Sequence, residues 1–379
     1  MTLTRRQTLA VIGGGVILAG GAAGAHVSRA PNDALAPWKN AGTYSDPRKS
    51  ALSWAILAPN PHNRQPWMVD LSKPDEVSLY VDTTRLLPHT DPFSRQITIG
   101  LGCFLEVLRM AALEDGFAAK ISPFPEGFDD GELDARPVAR IRFLPTEAPR
   151  DPLFVHVPTR RTLKEPFDIN RTVPSDALAR ITAAALMTNV TASNTENDVT
   201  ALRRLSRDAL VIEIETPHTY KESVDLFRIG RAEVNANPDG IDFSGPMFET
   251  LSILGLFNRD VVMDRSSMSF AQGLAAVLEN ADTAMAHVWQ VTETNTRLDQ
   301  LNAGRDWVRI NLAATAEGLG IQPLSQALQE YPEMDALYAD IHNRLAPEGG
   351  TVQMFARLGY GPDVAVSPRW PLEAKLTNV

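Results

Sequence analysis

Apolar residues recur at helical spacing in two long stretches, Leu101, Leu105, Leu108 and Ala112 in the first and Trp307, Ile310 and Ala314 in the second. Aligned at a constant offset of 202, the stretches match Gly102 with Gly304, Gly116 with Gly318 and Ala111-Ala112 with Ala313-Ala314, and Asp115 faces Glu317. The spacing predicts two central helices, each capped by a glycine at its C-terminus, with small residues that allow close approach to a partner helix. A strand-like ending follows each one, V-A-R-I at 138–141 and F-A-R-L at 355–358. The repeated order predicts an internal duplication. Strand-like runs lie at 77–81 and 138–143, and further helical runs at 175–186, 199–215 and 270–291. Prolines crowd residues 145–158 and mark the expected boundary between a first half, 40–150, and a second, 151–379. Between 235 and 269 the periodicity weakens, which predicts either a lid over a site or a helical hairpin packed on the surface.

The apolar run Ala51, Leu52, Trp54, Ala55, Ile56 and Leu57 reads as the end of a helix, and residues 58–67, A-P-N-P-H-N-R-Q-P-W, follow it. Pro59, Pro61 and Pro66 stop the helix and stiffen the exit, since proline fixes its own φ and donates no backbone hydrogen bond. Asn60, His62, Asn63 and Gln65 then sit on a rigid backbone as hydrogen-bonding side chains. A stiff turn rich in amides suits a planar ligand edged with heteroatoms.

Composition narrows the choice of partner. The 379 residues are 44% hydrophobic and 22% charged with a formal charge of −10, which disfavours a general affinity for nucleic acid or anionic membrane. The single cysteine, Cys103, excludes an intramolecular disulfide, and seven scattered histidines give no metal-binding spacing. Arg5 and Arg6 precede a weakly apolar run, residues 9–25, that contains six glycines. That run is diluted for a bilayer span, and with the paired arginines it reads as a twin-arginine export signal over 1–25, with no stable membrane anchor. Its removal takes the formal charge from −10 to −12. The glycines at 13–15 do not make a dinucleotide loop, because Leu18 stands where the third glycine belongs and no strand can precede them. Neither a G-x-S-x-G elbow nor a phosphate-binding G-x-x-x-x-G-K-[ST] loop occurs, and Asp129, Asp130, Glu132 and Asp134 read as a solvated turn.

The segment 58–67 resembles the flavin-contacting turn, A-P-[S/N]-x-x-N-x-Q-P-W, of FMN-dependent nitroreductases. Residues 158–167, P-T-R-R-T-L-K-E-P-F, look like that family's R-R-S-x-R-x-F motif, with Thr162 in place of serine and Lys164 near the second basic position. A-E-G-L-G at 316–320 is similar to a turn that meets the flavin N5 edge, and Arg357 in F-A-R-L-G-Y-G resembles a C-terminal phosphate-contacting arginine. R-Q-I-T-I-G at 95–100 supports a tandem, Acg-like branch. The resemblance implies an α+β nitroreductase-like fold, its two related halves forming a pseudo-dimer within one chain, with central antiparallel sheets packed by helices. It implies one FMN per chain, held by Pro59, Asn60, His62, Asn63 and Gln65 from one half and by Arg160, Arg161, Thr162, Glu317, Gly318, Leu319 and Arg357 from the other. The reciprocal site reads as eroded, since D-P-R-K-S at 46–50 is a poor arginine motif.

The activity implied is flavin-mediated reduction of a planar, electron-poor small molecule, a nitroaromatic or a quinone. No side-chain acid or base and no metal ligand is assigned. The expected location is periplasmic or otherwise extracytoplasmic, by way of the twin-arginine export machinery, and an internalised dimer interface is compatible with a monomer. Nicotinamide donors are scarce outside the cytoplasm, so the alternative is a non-catalytic protein that binds or sequesters flavin beneath a closed lid.

Overall fold

A computed structural model describes residues 30–378. The proposed export signal and the glycine run at 13–15 lie outside the described residues. The helices in chain order are α1 (Asn32–Asn40), α2 (Pro47–Ala55), α3 (Arg95–Glu114), α4 (Ser175–Thr182), α5 (Glu196–Glu215) and α6 (Pro217–Asp225). They continue with α7 (Gly230–Ala236), α8 (Pro246–Ile253), α9 (Arg259–Met263), α10 (Met268–Asp282), α11 (Arg297–Ala316) and α12 (Asp335–Leu345).

The duplication is visible in the strand order. In the first half β1 (Trp67–Asp70), β2 (Glu76–Val81), β3 (Phe117–Pro123) and β4 (Ala139–Pro145) form an antiparallel sheet ordered β1-β2-β4-β3, with α3 between β2 and β3. In the second, β5 (Asn189–Ser193), β8 (Ala286–Thr292), β9 (Gly320–Pro323) and β10 (Thr351–Gly359) form a sheet ordered β5-β8-β10-β9, with α11 between β8 and β9. The two sheets therefore share one topology, and α3 and α11 are equivalent elements. The fold is α+β with two tandem related halves, as the sequence repeat predicts.

The two central helices pack on each other at the matched glycines. A β-carbon built on Gly102 would overlap the Leu301 carbonyl and stand 2.9 Å from the Cα of Gly304; one built on Gly304 would overlap the Ile99 carbonyl. Only hydrogen side chains permit that crossing. Gly116 and Gly318 take φ of +78° and +68°, the left-handed turn that ends each helix. After α11 the caps are paired as in a Schellman motif, with the Leu319 N–H donating to Ala314 O at 2.9 Å and the Gly318 N–H to Thr315 O at 3.0 Å. A capping box of Thr296 and Asp299 starts α11.

Charge also crosses the seam. Glu106 of α3 is fully buried and accepts from Arg109 at 2.7 Å, Arg305 at 3.0 Å and Arg309 at 3.1 Å. Asp151 takes a second bond from Arg309 at 2.6 Å and one from Arg109 at 2.8 Å. Burial alone would push the Glu106 carboxyl up, but the three arginines outweigh it and hold it below the usual carboxylate range. The first residues of the central helices, Arg95 and Arg297, are a further matched pair at offset 202. Each is buried and reaches into the opposite half, Arg95 to Gln353 O and Leu328 O at 2.6 Å, Arg297 to Phe93 O at 2.7 Å.

Two helical runs expected from the sequence need correction, and the stretch at 235–269 resolves into short elements. The helical run expected over 270–291 is two elements, because α10 ends at Asp282 and the next apolar residues form β8, buried along most of its length. The run over 175–186 shortens to α4, and the Leu186, Met187 and Thr188 amides then donate to the Asp306 carboxylate at 2.8 Å. Residues 235–269 are not irregular. They contain α8, α9 and β7 (Ile241–Phe243), which pairs in parallel with β6 (Phe227–Ile229). They belong to an excursion of the β5–β8 hairpin, where the equivalent β1–β2 connection is a short turn. The excursion has its own small core of Val224, Ile229, Phe257 and Val262, which explains the weak periodicity.

The final segment leaves the second half. β11 (Leu376–Asn378) adds to the first sheet in parallel with β1, with Val69 opposite Leu376, and the Trp38 indole donates to Ser367 O at 2.8 Å.

Candidate functional site

The turn at 58–67 is strained where the sequence is richest. His62, Asn63 and Gln65 take φ of 46°, 51° and 50°, left-handed values uncommon for residues with a β-carbon. Such a backbone persists only when its surroundings fix it, and two segments distant in sequence do so. From the excursion, Pro238 O accepts from Gln65 Nε2 at 2.7 Å, and Asp239 bridges Arg85 and, at 2.7 Å, Arg228. From the C-terminal segment, the Trp370 N–H donates to Gln65 Oε1 at 2.9 Å and Lys375 Nζ donates to Gln65 O at 2.8 Å.

These contacts revise the expected roles of the amides. Gln65 is fully buried and both ends of its amide are spent on protein. Asn63 donates to Pro368 O at 3.0 Å and accepts from Arg369 Nη1 at 2.6 Å. Asn60 Oδ1 accepts from the Gln65 N–H at 2.7 Å, and its Nδ2 donates to Ala58 O at 3.2 Å. The three amides build the turn. The His62 imidazole has no hydrogen-bond partner among the described residues. Burial first, then Lys164 and Arg64, brings it down to about 4, so it is neutral at pH 7. Pro59 is half-buried beside it.

The arginine motif comes to the same place. Leu163 N–H donates to Ile321 O at 3.0 Å, which ties the stretch that follows the arginine pair to β9. Arg160 is 4% exposed, and among the described residues it has neither an ion-pair partner nor an acceptor for its buried Nη1. Burial brings its guanidinium down to about 10. Arg161 bonds Pro158 O and Arg160 O at 2.8 Å and lies 5.1 Å over the Trp38 ring. Thr162 is half-buried next to them.

The other expected contacts also have partners within the fold. Arg357 is fully buried and spends four of its donors within the fold, on Gln322 at 2.6 Å, Thr283 at 3.3 Å, Leu163 O at 3.2 Å and Glu165 O at 2.8 Å. It anchors the stretch that follows the arginine pair. Glu317 is held from α4 by Arg180 at 2.7 Å and 2.8 Å. Gly318 serves as the helix cap, and Leu319 is a core residue. Gly320 is required by Leu163 and Phe167, and Gly359 by Phe167. Those glycines let the arginine stretch pack down, which is a sufficient reason for them.

Sequence reading missed Arg369 and Trp38. Arg369 is buried and donates to Asn63, Leu57 O and Ala58 O, while Arg160 and Arg161 lie within electrostatic range of it. The signal was present in S-P-R-W-P at 367–371, an arginine and an aromatic framed by prolines, as in the first turn. The arrangement presents three closely spaced guanidinium groups with no carboxylate paired to any of them among the described residues, which suits a phosphate or another compact anion.

No family model matches the chain. It is similar to two Mycobacterium tuberculosis proteins named "Putative NAD(P)H nitroreductase Rv3131" and "Putative NAD(P)H nitroreductase acg". The first is 27% identical over 317 residues, 83% of this chain and 85% of the relative; the second is 25% identical over 341 residues, 87% and 95%. Among solved structures, the FMN-dependent nitroreductase NfnB of Mycobacterium smegmatis aligns at 17% identity over 57% of this chain and 92% of its own, with a TM-score of 0.35. The sequence matches, which span more than four fifths of the chain, support its placement among nitroreductase-like proteins.

Proposed function

We propose that the chain binds FMN, with the phosphate against Arg160 and Arg161, and acts as a flavin-dependent oxidoreductase on planar, electron-poor small molecules such as nitroaromatics or quinones. The carrying observation is the buried Nη1 of Arg160, which lacks an acceptor and a counter-charge among the described residues. A buried cation without a partner is costly, and a phosphate oxygen supplies both the acceptor and the charge. The names of the relatives point the same way.

When bound, FMN supplies the redox chemistry. The chain's own residues hold and orient. Arg160 and Arg161 would hold the anionic end, Thr162 would offer a hydroxyl beside them, and neutral His62 has one ring donor and one acceptor free for the ligand. The preceding α1 places Trp38 against Arg161 and Arg369. Export by the twin-arginine route remains part of the proposal.

One observation favours the sequestering alternative. Asn63 and Gln65 are sealed beneath the C-terminal segment and the excursion, so the turn is closed on two sides. The two readings separate in one experiment on the purified chain. A yellow protein that NADPH bleaches and a quinone restores supports the oxidoreductase; a yellow protein inert to both supports sequestration. A chain that cannot be loaded with FMN contradicts both.

A further inference from the structure

Neutral groups hold Arg369 in place. Its Nη1 donates to Asn63 Oδ1 at 2.6 Å and Pro368 O at 2.9 Å, and its Nη2 to Leu57 O at 3.1 Å and Ala58 O at 3.3 Å. Its Nε is buried without an acceptor among the described residues. The side chain is 2% exposed, and burial, Arg160 and Arg161 together bring it down to about 9. Two buried donors far apart in sequence, Arg160 Nη1 and Arg369 Nε, are thus left without acceptors among the described residues, in a cluster of guanidinium groups. Like charges in a poorly solvated interior repel, so the closed cluster is less stable without an anion than with one.

We infer that Arg369 is a third ligand of the anion site and that anion binding latches the C-terminal segment onto the turn at 58–67. The inference rests on the proposed phosphate site. Three bonds build the latch: Arg369 N–H donates to Ala34 O at 2.8 Å, Trp370 N–H to Gln65 Oε1 at 2.9 Å and Lys375 Nζ to Gln65 O at 2.8 Å. An anion between Arg160 and Arg369 removes the repulsion that opposes these contacts. By linkage, the docked segment raises anion affinity by the same factor.

The test measures binding of FMN, riboflavin and inorganic phosphate to the full chain, to Arg369→Gln and to Arg369→Lys, and follows hydrogen exchange at the Arg369 and Trp370 amides. Losing a charge-assisted bond is expected to weaken FMN by roughly 10- to 100-fold in Arg369→Gln, with riboflavin weakened clearly less and Arg369→Lys in between. Phosphate or FMN slows exchange at the two amides in the unmodified chain, and riboflavin does not. Undiminished FMN and phosphate affinity in Arg369→Gln overturns the inference, as does exchange indifferent to both anions. Phosphate that latches the segment in a chain that refuses FMN retains the latch and removes the flavin reading. Tight FMN binding indifferent to Arg369 does the reverse.

Discussion

At the scale of single residues, the chain keeps a charge where stability alone would not place one. Arg160 is buried with neither a carboxylate nor an acceptor for Nη1 among the described residues, beside Arg161 and Arg369. Replacing even a buried ion pair by apolar side chains of similar volume is often neutral or stabilising by about 1–4 kcal/mol, and an unpaired cation has no Coulombic gain to lose. Arg160→Met is therefore expected to raise the denaturation midpoint of the ligand-free chain while abolishing stabilisation by added phosphate or FMN. Thermal melts with and without each ligand check this; a destabilised ligand-free variant would mean that Arg160 has a structural partner. Residue identity made the arginine pair legible in the sequence. The role of Arg357 was not legible, because its acceptors come from β9, the segment after α10 and residues 163–165, and no spacing announces that convergence.

At the scale of elements, the glycine matches were the most readable part of the chain. They mark two real constraints, the helix crossing at Gly102 and Gly304 and the left-handed caps at Gly116 and Gly318. Gly304→Ala places a methyl inside the Ile99 carbonyl, so the central helices must separate. The expected loss is about 3 kcal/mol or more, at the upper end for overpacking because backbone rather than a flexible side chain must move. Chemical denaturation checks it, and a loss under about 0.5 kcal/mol contradicts the packing described. Boundaries were less legible. The 270–291 run conceals a change from helix to strand, since α10 and buried β8 are both apolar and differ in period only over a few residues. The excursion was legible only as a loss of pattern, because its small core uses aromatic residues from four short elements.

At the scale of the whole molecule, each half contributes to one site. The turn at 58–67 comes from the first, Trp38 from the helix that precedes it, and the arginine pair comes after the boundary. Arg369 returns on a tail whose β11 completes the first sheet. A sequence repeat can suggest two halves, yet it says nothing of a tail that crosses between them, and the S-P-R-W-P stretch has no counterpart to align with. Arg95 and Arg297 lock the crossing in both directions, so the surfaces that frame the site are fixed relative to each other. The central claim is that this assembled cluster binds the phosphate of FMN, and isothermal titration of the unmodified chain with FMN and with riboflavin tests it most directly. Three guanidinium groups with no carboxylate partner among the described residues predict FMN binding at least 100-fold tighter than riboflavin, about 2.7 kcal/mol, with the difference shrinking as salt is added. Equal affinities for the two, or no binding of FMN, would contradict the account.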